Sequence, residues 1–445
     1  MTVNGLNAYT DSTGSGFANA KVETVFEMFR RIYGGQVGIV SKAYIADATP
    51  ASVCTHTSQR GQYTAIIEQY LSGVTQNSSW FPWGGVDLLF GGGAENFLAG
   101  PGNGNVSQFE RWQEHGYKYA STQTELLALD DSERALGLFT RGNISTWLDK
   151  NVYPDTLKFA VQPDGTEGAY DQPGLKEMTL KAVDILAKRS KDRDTGFMLM
   201  SEAAVSVDLK LTTNRANIQL IDKEMHVQDV DRALGDLLEL DDTIRATVEH
   251  LEKLGLLEDT LILVTADHGH GFDVYGSHDT EYAEAQESDR AKRGAVGVYQ
   301  ESGLSAYTVP EDVNPTSHEI FESEQGDGFP VTWDPRWTIA HGWSAFPDKR
   351  EDFAVNDHHE RIPAVRNETG FFFNPQDNPK GFAMTGNLDV SSGQGVHSLV
   401  DVPIYSWGPG HECFRGVMGN IDIAFNLAKV MGLGQCSNMT AEYKP

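Results

Sequence analysis

Short apolar runs alternate with amphipathic helical patterns along most of this chain, and that alternation limits the folds it can adopt. The apolar runs have the length of buried strands, and several end in glycine, an acid or histidine; they cover 37–45, 86–93, 196–204, 261–269 and 402–410. The helical patterns between them cover 22–34, 175–191, 227–255 and 421–433. Strands that alternate with helices predict an α/β fold with a largely parallel sheet, which binds ligands beyond the carboxyl ends of its strands.

Residues 271–396 differ from the rest of the chain. They are rich in Gly, Pro, Asp and aromatic residues and show weak periodicity. Because a structureless loop of that length is rare in a compact domain, we expect short strands within it. We interpret the stretch as an elaboration of the sheet, a lid or an oligomer surface, inside one domain that spans residues 1–445.

Charge and cysteine content exclude several classes of protein. The net charge of −28 disfavours nucleic acids and anionic membranes as partners, and no apolar run reaches the roughly 18 residues of a membrane span. Three cysteines are too few for a disulfide framework or a cysteine-rich zinc site. Asn-x-Ser/Thr sequons permit glycosylation and a secretory, vacuolar or extracellular location; they begin at Asn77, Asn105, Asn143, Asn367 and Asn438.

Residue types that can bind hard metal ions occur at several separated places, mostly where apolar runs end. The candidates are Asp47, Thr49, Glu202, Asp222, His226, Asp267, His268, His270 and His397. Mixed Asp and His ligands suit zinc, whereas an all-oxygen set of Asp47, Thr49 and Glu202 suits magnesium. Each motif alone fits a helix cap, a solvated helix face or an edge charge. Together, in an α/β pattern, they predict a cluster of divalent ions.

In their order, these motifs resemble those of the two-zinc alkaline phosphatases. The chain has Asp-Ala-Thr-Pro-Ala at 47–51 with Arg60 after it, and Glu202 after a buried strand. Asp-Lys-x-x-His at 222–226, Thr-Ala-Asp-His at 265–268 and a late His397 then follow. The resemblance runs from about residue 3 to 433, with 271–396 as extra. It implies a three-layer α/β sandwich and hydrolysis of small phosphate monoesters through a phosphoserine intermediate, and it is compatible with a homodimer.

The resemblance also implies roles for individual residues. The first zinc would be bound by Asp222, His226 and His397, the second zinc by Asp267 and His268, and one magnesium by Asp47, Thr49 and Glu202. Arg60 matches the phosphate-binding arginine, whose guanidinium fork fits two phosphate oxygens. His270 would orient a ligand carboxylate, and Lys223 would lie near the phosphate.

A polar stretch at Val205–Gln219 departs from the family pattern, because it separates Glu202 from Asp222. It is either a natural loop or a retained intron in the gene, and we favour the intron. Asp208 within it has Thr212, not a histidine, four residues on, so we exclude it as a ligand.

The Thr10-Asp11-Ser12 segment has the same three residues as the family's nucleophile segment, but its surrounding sequence differs. Glycines follow Ser12 where the family begins a helix, and the stretch at 3–9 resembles one that follows that helix in the family. We therefore predict that Ser12 lies in a solvated turn and that the chain lacks the nucleophile. The nucleophile and any signal or membrane anchor would then lie upstream of Met1.

Two other functions stay open at this point. One is a phosphodiesterase of the same superfamily, and the other is a metal-binding pseudophosphatase without activity. A sulfatase is excluded, because no Cys-x-Pro-x-Arg motif occurs and Cys54 is followed by Thr-His-Thr.

Overall fold

The structure is a computed structural model, and it describes most of the chain outside residues 271–396. The described residues are 4, 21–73, 83–100, 106–203, 224–225, 230–270 and 397–433, with short segments at 276–278, 287–288, 306–308, 329, 332–334, 353–355, 361–363, 365–366, 372–373 and 382–384.

Nine α-helices occur in these ranges: α1 Val25–Tyr33, α2 Ala48–Ala51, α3 Tyr63–Ser72, α4 Gln108–Glu114, α5 Gln123–Leu127, α6 Trp147–Asn151, α7 Leu175–Arg193, α8 Val230–Leu254 and α9 Asn420–Val430. Short 3-10 helices span Ala94–Phe97, Pro154–Phe159, Leu257–Asp259 and His411–Phe414. The larger strands are β1 Gln36–Tyr44, β2 Leu88–Gly92, β3 Tyr117–Ala120, β4 Arg134–Leu138, β5 Phe197–Glu202 and β6 Ile262–Thr265.

The shorter strands follow: β7 Gly269–His270, β8 Gly276–His278, β9 Ala306–Thr308, β10 Thr332–Asp334, β11 Phe353–Val355, β12 Arg361–Pro363, β13 Val365–Arg366, β14 Phe372–Phe373, β15 Phe382–Met384, β16 His397–Ser398 and β17 Ile404–Trp407. Strands β8 to β15 pair antiparallel in twos, so the predicted short strands do occur within 271–396.

Five strands form a parallel sheet in the order β3-β4-β2-β1-β5. Every residue of β1, which lies between β2 and β5, is buried, which is expected of a parallel strand covered on both faces. The predicted parallel sheet is therefore confirmed. Strands β6 and β17, also predicted from apolar runs, pair antiparallel with each other.

Hydrophobic clusters cover both faces of the sheet and make the fold a three-layer α/β/α arrangement. On one face, Val37 and Ile39 of β1 pack in a cluster with Ile66 and Tyr70 of α3. On the other face, Val40 packs in a cluster with residues of α7. None of the helices in the described parts of the chain has the length and hydropathy that crossing a bilayer requires.

Buried charges attach α8 to the same sheet. Lys42 of β1 is fully buried; its Nζ donates to Asp236 Oδ1 at 2.9 Å and also to Glu239, both on α8. The amide of Trp147 donates to the same oxygen of Asp236 at 2.9 Å. Since a buried charge is tolerated when it is paired and hydrogen-bonded, these contacts fix where α8 packs.

Candidate functional site

Asp47 and Thr49 lie at the carboxyl edge of the sheet, just after β1. The chain leaves β1 at Tyr44, and Asp47, extended at φ −73° and ψ 174°, begins the single turn of α2. Asp47 is buried at 3% exposure. Its Oδ1 accepts a hydrogen bond of 2.6 Å from Nη2 of Arg60, whose side chain is 39% exposed. The pair places a cationic side chain, open to solvent on one side, at this edge.

Glu202 ends the neighbouring strand β5 at the same edge. Its Oε2 accepts a hydrogen bond of 2.6 Å from the hydroxyl of Ser41, and the hydroxyl of Thr49 also hydrogen-bonds the carboxyl. Burial raises the pKa of Glu202 to about 7; these hydroxyls oppose the increase, while the negative charges of Asp47 and Asp267 add to it. Three carboxylates thus lie within electrostatic range of each other.

The described histidines of the candidate set come together on a two-stranded ribbon. Strand β7 pairs antiparallel with β16, and His270 is directly opposite His397. The imidazole of His397 stacks on that of His268, with ring centroids 3.5 Å apart and an interplanar angle of 16°. Residues separated by more than a hundred positions in sequence are therefore neighbours.

His268 is held in a defined orientation next to Asp267. Its Nδ1 lies 3.1 Å from the carbonyl oxygen of Gly269. Its Nε2 lies 3.3 Å from Oδ2 of Asp267, whose side chain is 67% exposed. An imidazole beside a carboxylate is the ligand chemistry that zinc uses.

Other predicted site residues lie outside the described residues: Asp222, Lys223, His226, Asp208, Ser12 and the stretch 205–219. Within the residues that the structure does describe, no three His, Cys, Asp or Glu side chains form a complete metal site. The structure brings Asp47, Thr49, Arg60 and Glu202 together at one edge. It pairs His270 with His397 on the β7–β16 ribbon and stacks His268, which directly precedes β7, on His397.

Sequence reasoning did not single out Ser41, whose hydroxyl hydrogen-bonds Glu202. A serine within an apolar strand is ordinary, and no local pattern marks it. Its position opposite Glu202 depends on the register between β1 and β5, which pairs residues 161 positions apart. Aligning the apolar runs 37–45 and 196–204 as neighbouring parallel strands could have placed Ser41 opposite Glu202.

Comparisons with known proteins agree with the resemblance seen in the sequence. The family model described as "Alkaline phosphatase" matches residues 2–433. Alkaline phosphatase 3 of Bacillus subtilis is 24% identical over 435 residues, which cover 96% of this chain and 74% of that protein. Alkaline phosphatase of Escherichia coli is 27% identical over 316 residues, 66% of this chain and 61% of that protein.

Two further comparisons extend the range of similar proteins. Streptomycin-6-phosphate phosphatase of Streptomyces griseus is 28% identical over 307 residues, which cover 61% of this chain and 59% of that protein. Among solved structures, the alkaline phosphatase from the Antarctic bacterium TAB5 is 16% identical with a TM-score of 0.47, over 93% of this chain and 76% of that one.

Proposed function

This chain belongs to the alkaline phosphatase family, and from that premise we propose that it hydrolyses phosphate monoesters with the help of bound zinc and magnesium. The observation that carries the proposal is the carboxyl edge of the sheet, where Arg60, Asp47 and Glu202 lie together. An anionic ester approaching a chain of net charge −28 needs local positive charge, which cations held by these carboxylates would provide.

The described residues fit divalent cations. The raised pKa of Glu202 reflects burial and the repulsion of Asp47 and Asp267, an excess of negative charge that a cation would neutralise. Asp47, Thr49 and Glu202 supply oxygen donors only, as magnesium prefers, and we assign them to magnesium. Asp267 and His268 would bind one zinc, and His397, with Asp222 and His226, the other.

Bound zinc would supply Lewis acidity to the reacting phosphoryl group. The chain's own contribution is positioning and charge. Arg60 would bind two non-bridging oxygens of the phosphate through its planar guanidinium, and Asp47, 2.6 Å from Nη2, would hold that guanidinium in place. Buried Asp47 is rigidly placed after β1, so Arg60 would be oriented before substrate arrives.

We propose a phosphoserine route. The sequence predicts that this chain lacks the nucleophile, so turnover by this chain would contradict that prediction and require a nucleophilic serine within it. Ser12, interpreted above as a turn residue, is the serine to test. Trapping of labelled phosphoenzyme from an aryl phosphate should be the same in wild type and Ser12→Ala. Loss of the label only in Ser12→Ala would instead make Ser12 the nucleophile.

The central test combines metal content with turnover. The full chain, purified in the presence of zinc and magnesium, should contain both metals by mass spectrometry and hydrolyse an aryl phosphate monoester faster than a bis-aryl phosphate. Metal without turnover would favour a pseudophosphatase, and preference for the diester would favour a phosphodiesterase. Absence of both metal and turnover would overturn the proposal.

Arg60→Ala sharpens that test. Removing a donor to a developing anionic charge costs about 10²–10³-fold in rate, so we expect kcat/KM to fall by that factor. Arg111→Ala is the matched control, because Arg111 is also ion-paired to a carboxylate, Glu68, and is similarly exposed at 35%. Its kcat/KM should change less than about threefold, since a surface ion pair contributes little. Equal losses in both variants would remove Arg60 from phosphate binding.

A further inference from the structure

Ser41 is a buried hydroxyl beside Glu202. It lies on β1, has no exposed surface and is the direct partner of Glu202 in the parallel register between β1 and β5. Its Oγ lies 2.6 Å from Oε2 of Glu202. A hydrogen bond this short is typical of a hydroxyl that donates to a charged carboxylate.

A second contact fixes the direction of that hydrogen bond. The backbone amide of Ala43 donates to the same Oγ of Ser41 at 3.0 Å. A hydroxyl has one proton and two lone pairs, and an ionised carboxylate can only accept. The amide occupies one lone pair of Ser41, and the single proton of Ser41 is directed to the ionised Glu202. Ser41 is therefore a fixed donor, whose orientation is set by the backbone two residues away.

The neighbouring residues have unrelated contacts. On β1, the next side chain, Lys42, forms ion pairs with Asp236 and Glu239. On β5, the preceding side chain, Ser201, shares a hydrogen bond of 2.7 Å with Thr179 Oγ1 of α7. Successive strand side chains point to opposite faces, so the Ser41–Glu202 contact and the Ser201–Thr179 contact lie on different faces of β5.

We propose that Ser41 is a positioning residue for magnesium, because its hydroxyl holds the Glu202 carboxylate in the orientation that receives the ion. This inference rests on the proposed function, since it takes Glu202 as a magnesium ligand. Groups that hydrogen-bond a metal ligand orient it, and their loss typically costs 10–100-fold in metal affinity. Without Ser41, Oε2 would lose a donor on the β1 side, and Thr49 would be the remaining hydroxyl on the carboxyl.

The test is a magnesium titration by calorimetry on the full, zinc-loaded chain. Ser41→Ala should raise the magnesium Kd by about 10–100-fold, and Ser41→Thr, which keeps the hydroxyl, should restore it toward the wild-type value. Ser201→Ala is the matched control: it makes the same chemical change one residue from Glu202, but removes the contact with Thr179, and its magnesium Kd should stay within about twofold.

Comparing zinc content, KM and kcat distinguishes a positioning role of Ser41 from a general effect of the substitution on folding. In Ser41→Ala, zinc content and KM for an aryl phosphate should match wild type, and kcat should recover when magnesium is raised well above the new Kd. If wild type binds magnesium and Ser41→Ala binds it equally tightly, the role of Ser41 is overturned while the proposed function stands. If wild type binds no magnesium, the role of Ser41 and the magnesium assignment of Glu202 are both overturned, and turnover of the aryl phosphate decides separately whether the proposed hydrolysis stands.

Discussion

The two ends of the parallel sheet each hold a carboxylate, in opposite electrostatic surroundings. At the amino end, Asp87, just before β2, accepts hydrogen bonds from Arg30 at 2.7 Å, the Val37 amide at 2.9 Å and Arg189 at 2.9 Å. Burial alone would raise the pKa of Asp87, but these partners, together with nearby Arg134, hold it below its usual range. At the carboxyl end, burial raises the pKa of Glu202 to about 7, and the hydroxyls of Ser41 and Thr49 oppose that increase.

We interpret this difference as one between a structural carboxylate, Asp87, and a carboxylate available to a ligand, Glu202. Asp87 is surrounded by cations of the protein, and it ties α1 and α7 to the start of β1 and β2. Glu202 has carboxylates as charged neighbours, so its ionised form is costly until a cation from outside joins it. Within one sheet, therefore, Asp87 should contribute mainly to stability and Glu202 mainly to metal binding.

The largest expected effect is on folding stability, from Asp87→Asn. Removing one partner of a buried charge cluster leaves the others uncompensated and costs about 3–5 kcal/mol. Here Arg30 and Arg189, whose side chains are 10% and 7% exposed, would lose their shared anion. Urea unfolding of the metal-free chain should show this loss in the free energy of unfolding.

Asp192→Asn is the control for that measurement. Asp192 also pairs with a cation, Lys188, but the side chains of both are close to half exposed, at 46% and 48%. An exposed pair contributes about 0–1 kcal/mol, so the loss should stay in that range. A loss from Asp87→Asn no larger than from Asp192→Asn would remove the contrast between the two ends of the sheet.

The second effect comes from Glu202→Gln and should appear only when magnesium is present. The substitution removes a charge that Asp47 and Asp267 oppose, so the free energy of unfolding without metal should change by less than about 1 kcal/mol. Magnesium at a hundred times its Kd should stabilise wild type by about 2.7 kcal/mol and the variant far less.

Glu177→Gln supplies the control for the magnesium effect. Glu177 also accepts a hydrogen bond within the protein, from the amide of Gly174 at 2.8 Å, but lies at the start of α7. Thermal or urea unfolding with and without magnesium should give Glu177→Gln the full wild-type increment. If Glu202→Gln keeps that increment as well, Glu202 is not a magnesium ligand.

Sequence reasoning predicted one part of this contrast and missed the other. Glu202 ends an apolar run and belongs to a recognisable motif, so its candidacy followed from the chain alone. Asp87 precedes an equally clear strand, but nothing local shows that Arg30 and Arg189, 57 and 102 positions away, converge on it. Charge compensation is a property of tertiary packing, and residue spacing does not reveal it.

The same limit applies to the fold. Strands β1 and β5 were predicted because buried parallel strands give continuous apolar runs. Strands β3 and β4 are short and include charged residues, Lys118 and Arg134, so their apolar signal is weak. These two strands complete one side of the sheet, where only pairing with β2 reveals them.

The smallest effect is acid sensitivity, and it tests the electrostatic origin of the Asp87 contribution. Because the folded-state pKa of Asp87 lies below its ordinary value, its contribution is fully present above about pH 4, near the pKa of an unfolded aspartate. That contribution is lost as the pH falls through the folded pKa, since protonation then favours the unfolded chain. Asp87→Asn has no such proton to take up.

The difference in unfolding free energy between wild type and Asp87→Asn should therefore be constant from pH 7 to about pH 5 and narrow below about pH 4. Its slope should not exceed about 1.4 kcal/mol per pH unit, the limit for one proton. Other carboxylates with a lowered pKa, such as Asp149, contribute equally to the pH dependence of both proteins, so their contributions cancel in this difference. A gap that stays constant as the pH falls to 3 would mean that Asp87 stabilises through the shape and neutral hydrogen bonds that asparagine lacks. Packing, and not charge compensation, would then stabilise the amino end of the sheet, and the two ends would no longer differ in the electrostatic role of their carboxylates.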